Sequence, residues 1–406
     1  MFSGAHMHED EKADEYKPVE CVDADEPSGF KYCGKCAKRI TLTDQECWRC
    51  VFCTQRFHEH CKYMICDECS VDIAIRKQMM WCAPLPIQQD DSPKISIDNF
   101  EIIRVLGRGS FGKVVLAKHS DYEEPLAIKI LKKEKFVNSK DLMFLEVERN
   151  VLRKVSLSSN PFLISMKFWF QDSESIFLVM EYLSGGDLLH HVMNKSFCKE
   201  QIKQYASEML LAIEFLHKEG IIFRDLKLDN IMLCGDGHIK LVDFGLCKEN
   251  IGPFGTTFTY CGTLDTLAPE VIAGDGYTKD SDWWSYGVVL YELYERDPPF
   301  HGSTNGEICS SIINANHSYD RIEDDTVKAL IDRLLEKDPT KRIGHGEADA
   351  NDIKTHEYFH GVDWESVASK KIKPLFVPGD LESNFDTEFF KESTTLPRST
   401  ADRKNI

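Results

Sequence analysis

Four polar side chains at short spacing in the middle of the chain could together transfer a phosphoryl group. Asp225 lies two residues before Lys227 and five before Asn230, and Asp243 follows. A phosphoryl group in transfer carries charge on its oxygens, so positioning and electrostatics supply most of the catalysis. We expect Asp225 to accept the proton of a substrate hydroxyl and Lys227 to neutralise the phosphate. Asn230 and Asp243 could hold Mg²⁺, which prefers oxygen ligands.

A glycine-rich run upstream could hold the phosphates of a nucleotide. It joins two predicted strands and comprises Leu106, Gly107, Arg108, Gly109, Ser110, Phe111, Gly112, Lys113 and Val114. Glycine lets the backbone approach phosphates where a Cβ atom would collide. The same glycine spacing opens a helix in dinucleotide-binding folds, but here a strand-like stretch follows, which favours a loop that covers ATP phosphates.

A lysine and a glutamate downstream could complete this nucleotide site. Lys129 lies in the strand-like Leu126 to Leu131, and Glu148 lies in the helix-like Leu142 to Arg153. We expect Lys129 to bind the α- and β-phosphates and to pair with Glu148. The alternative for such a pair taken alone is a solvated surface contact. The complete ordered set of motifs argues against that alternative.

The elements that must position these residues divide into a strand-rich and a helix-rich part. Short alternating runs from Phe100 to Leu131 predict an antiparallel sheet. Beyond Asp187, longer helical patterns dominate, including Lys199 to Lys218 and Thr326 to Glu336. The sequence therefore predicts an α+β fold with a small β-rich lobe followed by a larger helical lobe.

Composition and charge argue against several classes of protein. The chain has 406 residues, a hydrophobic content of 42% and a formal net charge of −18. Such a length predicts two or three modules with a sizeable core. The acidic balance argues against a nucleic-acid binder and a polybasic membrane anchor. No secretory signal is visible, and the apolar stretch Trp283 to Tyr294 is too short for a transmembrane segment, so we expect a cytoplasmic protein.

The motif set, which also includes Asp243-Phe244-Gly245 and Ala268-Pro269-Glu270, resembles that of the eukaryotic protein kinases. The resemblance extends to about residue 390 and is closest to the AGC group, in particular protein kinase C. It implies a two-lobed kinase fold. It also implies transfer of the γ-phosphate of Mg·ATP to serine or threonine hydroxyls of protein substrates, in intracellular signalling.

The narrower likeness to the AGC group rests on a few segments. Phe223 precedes Arg-Asp at a position where AGC kinases carry an aromatic residue, and the run 259–263 resembles their activation segment. The stretch from Asp363 to Asp386 is similar to their C-terminal extension. Lys227 together with Thr263 is the serine/threonine pattern, and Thr263 joins the catalytic set on this basis. One departure is Leu264-Asp265-Thr266, where the group usually has a Pro-acid-aromatic triplet.

The resemblance also implies how the nucleotide is held. Backbone atoms of Glu181 and Leu183 would bind the adenine ring, and the side chains of Val114, Ala127 and Met232 would sandwich it. Met180 would gate the back of the pocket, Asp187 would reach the ribose, and Phe385 would pack against the nucleotide from the C-terminal tail. The alternative for the apolar members is plain core packing, and Ala127 and Met232 would serve both purposes.

The resemblance implies further roles for charged residues. Asp187, Asp229 and Glu292 match positions that bind arginines preceding the acceptor, with structural acids as the alternative. Thr259 is the expected phosphosite for an upstream kinase, because a phosphate there could pair with Arg224 and Lys248. Structural roles are expected for Asp282, which would accept backbone hydrogen bonds from the catalytic loop, and for a Glu270–Arg342 pair.

A cluster of cysteines near the N-terminus predicts zinc binding. Ten of the fifteen cysteines lie between Cys21 and Cys82, and their CxxC pairs suit tetrahedral zinc. The spacing matches the two-zinc domain that precedes protein kinase C catalytic domains. That match implies one site with Cys33, Cys36, His58 and Cys61, and another with Cys50, Cys53 and Cys69. Cys21 is our choice for the eighth ligand, and Cys47 or Cys66 are alternatives. A PHD or RING arrangement and plain reduced thiols are the competing interpretations.

The zinc-domain resemblance does not extend to lipid binding. The loop 40–47 is polar, acidic and free of glycine, whereas diacylglycerol-binding members carry apolar loop tips and a basic rim. We therefore expect no diacylglycerol binding. The predicted organisation is an acidic disordered tail (1–20), a zinc domain (21–70), a linker (71–99), a kinase domain (100–359) and a C-terminal extension (360–406).

Overall fold

The computed structural model describes residues 95–109, 112–136, 139–158, 160–252, 255–378 and 384–385, together with the backbone of short strands between Tyr16 and His58. The chain divides into two units, Met1–Gln89 and Asp90–Ile406. Among the described residues, no helix is long and apolar enough to cross a membrane.

Short antiparallel strands form the described part of the N-terminal unit. Strand β1 (Tyr16–Val19) pairs with β4 (Cys47–Cys50), which pairs in turn with β5 (Arg56–His58). A separate hairpin joins β2 (Lys31–Tyr32) to β3 (Arg39–Ile40). Strand β1 lies in the segment for which the sequence predicts disorder. The side chains of the predicted zinc ligands lie outside the described residues, so the zinc site stays a prediction.

The second unit begins with the predicted antiparallel sheet. Its elements are β6 (Phe100–Gly109), β7 (Gly112–His119), β8 (Leu126–Lys132), α1 (Ser139–Ser158), β9 (Met166–Gln171) and β10 (Ser175–Glu181). The strand order in the sheet is β6-β7-β8-β10-β9, and helix α1 contacts β9. The strands extend a few residues beyond the predicted ones because antiparallel pairing continues past the apolar runs.

One face of this sheet forms the core of the small lobe. Val105, Val115 and Ile128 are fully buried there, and Val179 joins them from β10. Phe170 stacks on Phe177 with ring centroids 4.6 Å apart. Alternate residues of each strand point to the same face, which is why the apolar pattern of the sequence has period two.

Helices and one β-hairpin make up the larger lobe. The hairpin consists of β11 (Ile231–Leu233) and β12 (Ile239–Leu241). The helices are α2 (Leu188–Asn194), α3 (Lys199–Lys218), α4 (Pro269–Ala273), α5 (Asp280–Glu295), α6 (Asn305–Asn314), α7 (Asp325–Leu334), α8 (Ala350–Lys354) and α9 (Trp364–Ala368). The predicted α+β fold with two lobes is thus confirmed for this unit.

Helices α3 and α5 form the centre of this lobe. The side chains of Trp283, Trp284 and Tyr286 on α5 are fully buried, and Tyr286 Oη donates a hydrogen bond of 2.9 Å to the carbonyl of Ala206 on α3. The bounds of α3 match the prediction because Gln201 caps the N–H of Cys198 at 2.8 Å. The chain leaves that helix through Gly220, whose φ is 69°.

The C-terminal tail meets the segment that joins the lobes. Asn384 Nδ2 donates a hydrogen bond of 3.1 Å to the carbonyl of Ser184. A Cβ atom at Gly186 would lie 1.8 Å from the carbonyl oxygen of Asn384, and the φ of this glycine is 76°. Only glycine allows both the backbone conformation and this approach. The tail thereby brings Phe385 to the edge of a cavity between the two lobes.

Candidate active site

A cavity of about 560 Å³ lies between the sheet and the helical lobe. It is lined by strands β6 to β8, by the segment after β10 and by the loops around β11 and β12. Most residues predicted to bind the nucleotide line it: Leu106, Gly107, Arg108, Gly112, Lys113, Val114, Ala127, Lys129, Met180, Glu181, Leu183, Asp187, Met232 and Phe385. Ser110 and Phe111 lie outside the described residues, and Gly109 ends strand β6.

Two glycines of the predicted phosphate loop have different surroundings. A Cβ atom at Gly107 would meet nothing within 4 Å, so the backbone there borders open space. A Cβ atom at Gly112 would lie 1.7 Å from the carbonyl oxygen of Ile130 on the neighbouring strand. Strand pairing therefore excludes a side chain at Gly112 even without a nucleotide, whereas Gly107 leaves room for a phosphate to approach.

Lys129 lies between two carboxylates at the back of the cavity. Its Nζ is 2.5 Å from Oε1 of Glu148 and 3.0 Å from Oδ1 of Asp243. Burial alone would lower the pKa of Lys129, but the charges of Asp243 and Glu148 outweigh it and raise this pKa. Lys129 in turn holds the pKa of Asp243 below its usual value. Burial raises the pKa of Glu148, against the opposing charge of the lysine. Strand β8 and helix α1 are thus joined by the predicted pair.

The catalytic loop brings a second polar group together. Asp225 accepts a hydrogen bond of 2.7 Å from Thr263 Oγ1, and Lys227 Nζ donates one of 2.7 Å to the same hydroxyl. Lys227 Nζ also lies 3.2 Å from Oδ2 of Asp225. Asn230 Nδ2 donates to the Asp225 carboxylate at 2.9 Å and to its backbone carbonyl at 2.8 Å. These bonds fix the Asp225 carboxylate between a cation, a hydroxyl and an amide.

Two non-glycine residues beside this group have left-handed backbone conformations. The φ of Arg224 is 70° and that of Asp243 is 62°. Asp282 holds the first of them, because its carboxylate accepts the N–H groups of Phe223 at 2.7 Å and of Arg224 at 2.8 Å. This bracing role is the one expected from the sequence. Such strain persists only where surrounding contacts impose it, and it is common at active sites.

The activation segment is tied to the catalytic loop near Thr259. Tyr277 Oη donates a hydrogen bond of 2.7 Å to the carbonyl of Thr259 and lies 3.3 Å from Nη1 of Arg224. Other donors of Arg224 bind the carbonyls of Leu246 and Cys247. The guanidinium predicted to meet a phosphate at Thr259 is therefore already placed close to that residue.

The three acids predicted to select basic substrates influence one another. Asp187 begins helix α2 and accepts the N–H of His190 at 2.7 Å. Burial raises the pKa of Asp187, and the charge of Asp229 adds to this shift. Burial also raises the pKa of Glu292, to about 8, with further contributions from Asp229 and Asp265. The acids thus repel one another, and Asp187 and Asp229 line the cavity together with Asp225.

Residues of β10 and of the segment after it line the cavity where adenine is predicted to bind. Met180 is buried, and the side chain of Glu181 binds Lys240 at 2.6 Å. Because that side chain is engaged with Lys240, the backbone of Glu181 is the part that a base could meet. Phe385 stacks on Tyr182 with ring centroids 6.1 Å apart.

Comparison with known proteins agrees with this geometry. The family described as the protein kinase domain matches residues 100–359. The chain belongs to the protein kinase family. It is 39% identical over 314 residues to serine/threonine-protein kinase N2 of Danio rerio and 38% over 303 residues to protein kinase C-like 2 of Schizosaccharomyces pombe. These matches cover 76% and 74% of this chain but 32% and 30% of the relatives, so the chain spans about a third of their length.

A relative of more similar size is the RAC family serine/threonine-protein kinase homolog of Dictyostelium discoideum. It is 38% identical over 315 residues, which cover 76% of this chain and 69% of that protein. These relatives place residues 100–359 among the AGC-type serine/threonine kinase domains, and a kinase domain uses ATP and Mg²⁺. The residues present fit that requirement, since Asn230 and Asp243 offer oxygen ligands beside a lysine and a glycine-rich loop.

Several residues of this kinase site were missed by sequence reasoning. Tyr182, Ile164 and Val242 also line the cavity. Val242 directly precedes Asp243 and could have been found from that position alone. The N–H of Ile164 donates a hydrogen bond of 3.0 Å to the carbonyl of Leu241. No local pattern marks such a contact, because it joins residues far apart in the sequence.

Proposed function

We propose that this chain transfers the γ-phosphate of Mg·ATP to serine and threonine hydroxyls of protein substrates. The observation that carries the proposal is the shared contact of Asp225 and Lys227 with Thr263, beside the Lys129–Glu148–Asp243 group. In this site, Asp225 orients the substrate hydroxyl and accepts its proton. Lys227 neutralises charge on the phosphate, and Lys129 holds the α- and β-phosphates. Mg²⁺, held by Asn230 and Asp243, supplies charge neutralisation to the phosphate oxygens when bound.

Two substitutions test this assignment because they separate binding from transfer. Asp225→Asn should lower the turnover of a peptide substrate by about 10²- to 10⁴-fold and leave Mg·ATP affinity nearly unchanged. Asp243→Asn should weaken Mg·ATP binding itself, because it removes a metal ligand. Calorimetric titration with Mg·ATP and a phosphate-transfer assay measure the two effects. Near-normal turnover of either variant would contradict the kinase proposal.

We propose next that substrates carry basic residues before the acceptor. Asp187, Asp229 and Glu292 support this, since their mutual repulsion and partial burial make a cation favourable between them. A randomised peptide library should show arginine enriched two or three residues before the phosphorylated position. Asp187→Lys should remove that enrichment. A preference for acidic or proline-directed peptides would contradict the proposal.

We propose that phosphorylation of Thr259 by an upstream kinase activates the enzyme. Arg224 supports this, because its guanidinium is linked to Thr259 through Tyr277. A phosphate there would gain charge-assisted hydrogen bonds and order the segment. The unphosphorylatable variant Thr259→Ala should remain at the basal rate when an activating kinase is added. Full activation of that variant would contradict the proposal.

The N-terminal cysteine cluster is proposed to form a two-zinc domain of the protein kinase C type. Its support is the spacing of Cys33, Cys36, Cys50, Cys53, His58, Cys61 and Cys69, with Cys21 as the eighth ligand. We propose that this domain acts in the cytoplasm without binding diacylglycerol, because Asp44 and Glu46 would be repelled by an anionic surface. Metal analysis of the full chain should give two zinc ions, and diacylglycerol vesicles should leave the rate unchanged.

A further inference from the structure

Asp349 has a backbone conformation that L-residues rarely adopt. It directly precedes helix α8, with φ of 46° and ψ of −133°. Glycine is the residue that reaches this region without strain, so an aspartate there persists only where its surroundings impose the conformation. The side chain of Asp349 is 14% exposed, and its carboxylate makes the contacts that hold the backbone in this conformation.

Three side chains from two other helices and their ends bind the Asp349 carboxylate. Its Oδ1 lies 2.9 Å from His217 Nδ1 and accepts a hydrogen bond of 2.8 Å from Trp283 Nε1. Its Oδ2 lies 2.9 Å from Nζ of Lys279. His217 belongs to the last turn of α3, Trp283 belongs to α5, and Lys279 directly precedes α5. The strained loop is therefore fixed to both central helices.

His217 connects this carboxylate to the catalytic loop. Its side chain is fully buried, and its Nε2 lies 3.0 Å from Oδ2 of Asp282. The carboxylate of Asp282 accepts the backbone N–H groups of Phe223 and Arg224, the two residues before Asp225. A continuous series of hydrogen bonds thus runs from Asp349 through His217 and Asp282 to the catalytic loop.

The geometry requires His217 to carry a positive charge. Both ring nitrogens face carboxylates, so both must donate, which only the protonated imidazole does. The end of helix α3 also favours a cation. Burial alone would lower the pKa of His217, but its bonds to Asp282 and Asp349 and their charges raise it to about 9. The other charged or titratable groups around this series are Lys279 at Asp349, and Arg224 and the Cys247 thiol near Asp282.

We propose that Asp349 is a positioning residue for phosphoryl transfer, acting through His217 and Asp282 on the backbone that presents Asp225. The inference rests on the proposed kinase activity. Without the charge of Asp349, His217 has one carboxylate partner and loses its proton at lower pH. The neutral ring then keeps its remaining proton on Nε2, and its bond to Asp282 loses the charge assistance that steadies the anchor of Phe223 and Arg224.

The test compares Asp349→Asn and Asp349→Gly with the matched control Asp352→Asn in the full chain. Asp352 lies in the first turn of helix α8, and its carboxylate accepts the Gly344 N–H at 3.3 Å and lies near Arg333, neither of which is part of the series. Both Asp349 variants should lower kcat about tenfold to a hundredfold, with KM for ATP unchanged, because the base is misplaced. As the pH rises, their kcat should also begin to fall at a lower pH than that of the wild type, because His217 loses its proton earlier. The control should behave as the wild type does.

The kcat of Asp349→Gly separates positioning from folding. Glycine relieves the backbone strain but removes the carboxylate from its three partners, so the unfolding midpoint should fall. The kcat should nevertheless be lowered at temperatures where the variant is fully folded. An unchanged kcat in the folded Asp349→Gly, or a kcat loss that follows the unfolded fraction alone, would overturn the proposal. The imidazole titration of His217 by NMR, assigned with His217→Gln, should move to lower pH in Asp349→Asn. An unmoved titration would also overturn it. If the wild type transfers no phosphate, the proposed function is wrong. The His217 titration would still show whether Asp349 controls the charge of His217.

Discussion

At the scale of single residues, the site depends on cations placed between pairs of acceptors. Lys129 lies between Glu148 and Asp243, and Lys227 lies between Asp225 and the hydroxyl of Thr263. Each arrangement orients an acid that must later meet a ligand. Because these side chains are already fixed, little reorganisation is needed when charge develops on a phosphoryl group.

Removal of the Lys129 cation should disable the site without unfolding the lobe. In Lys129→Met, Glu148 and Asp243 would repel each other and the phosphates would lose their contact. We expect turnover to fall by about 10²-fold or more, in line with the loss of a preorganised electrostatic contact. Steady-state transfer assays measure the fall. Lys118→Met, on the exposed side of β7, is the control and should leave turnover unchanged.

The raised pKa of Glu292 predicts pH-dependent recognition of basic peptides. Its carboxyl is mostly neutral below its pKa of about 8 and becomes charged as the pH rises through that value. The KM for an arginine-containing peptide should therefore fall between about pH 6 and pH 9, and it should fall less in Glu292→Gln. Glu307→Gln, on helix α6, is the control. A KM with the same pH dependence in wild type and Glu292→Gln would show that Glu292 does not contact the peptide.

At the scale of elements, local signals predicted more than the contacts between elements. Helix α3 was predicted with its observed bounds, because its cap and its terminating glycine are local. The catalytic motifs were likewise found from short spacings. The contact of Asp349 with His217 could not be predicted, because 132 residues separate them and no pattern marks a strained loop. Ser110 and Phe111 lie outside the described residues, so their contacts with the nucleotide stay predictions.

The ion pair between Arg342 and Glu270 joins helix α4 to the loop after α7. Its two hydrogen bonds are 2.7 and 2.9 Å, and the guanidinium is fully buried over the Trp284 ring. Arg342→Met leaves the Glu270 carboxylate buried without its partner, so it should lower the free energy of unfolding by about 3–5 kcal/mol. Urea unfolding followed by tryptophan fluorescence measures this loss.

The control for that prediction is Lys341→Met at the neighbouring position. Lys341 lies 3.0 Å from Asp338, and its side chain is 72% exposed. Exposed pairs contribute about 0–1 kcal/mol, so this variant should unfold close to the wild type. Equal stability of Arg342→Met and Lys341→Met would show that the buried pair does not hold the two elements together.

At the scale of the whole molecule, a kinase domain is joined in one chain to a cysteine-rich N-terminal unit. The kinase domain accounts for residues 100–359, and the chain spans about a third of the length of its protein kinase C-like and N2 relatives. The acidic net charge of −18 would favour the association of basic substrates, in line with the preference that we propose.

The most direct test of the account is phosphate transfer by the purified full chain to peptides that differ only in the acceptor. With Mg·ATP, serine and threonine peptides that carry arginine before the acceptor should be labelled, and the tyrosine peptide should not. Labelling should disappear when Mg²⁺ is chelated and in Asp225→Asn. Labelling of the tyrosine peptide at a similar rate, or equal labelling by wild type and Asp225→Asn, would contradict the account.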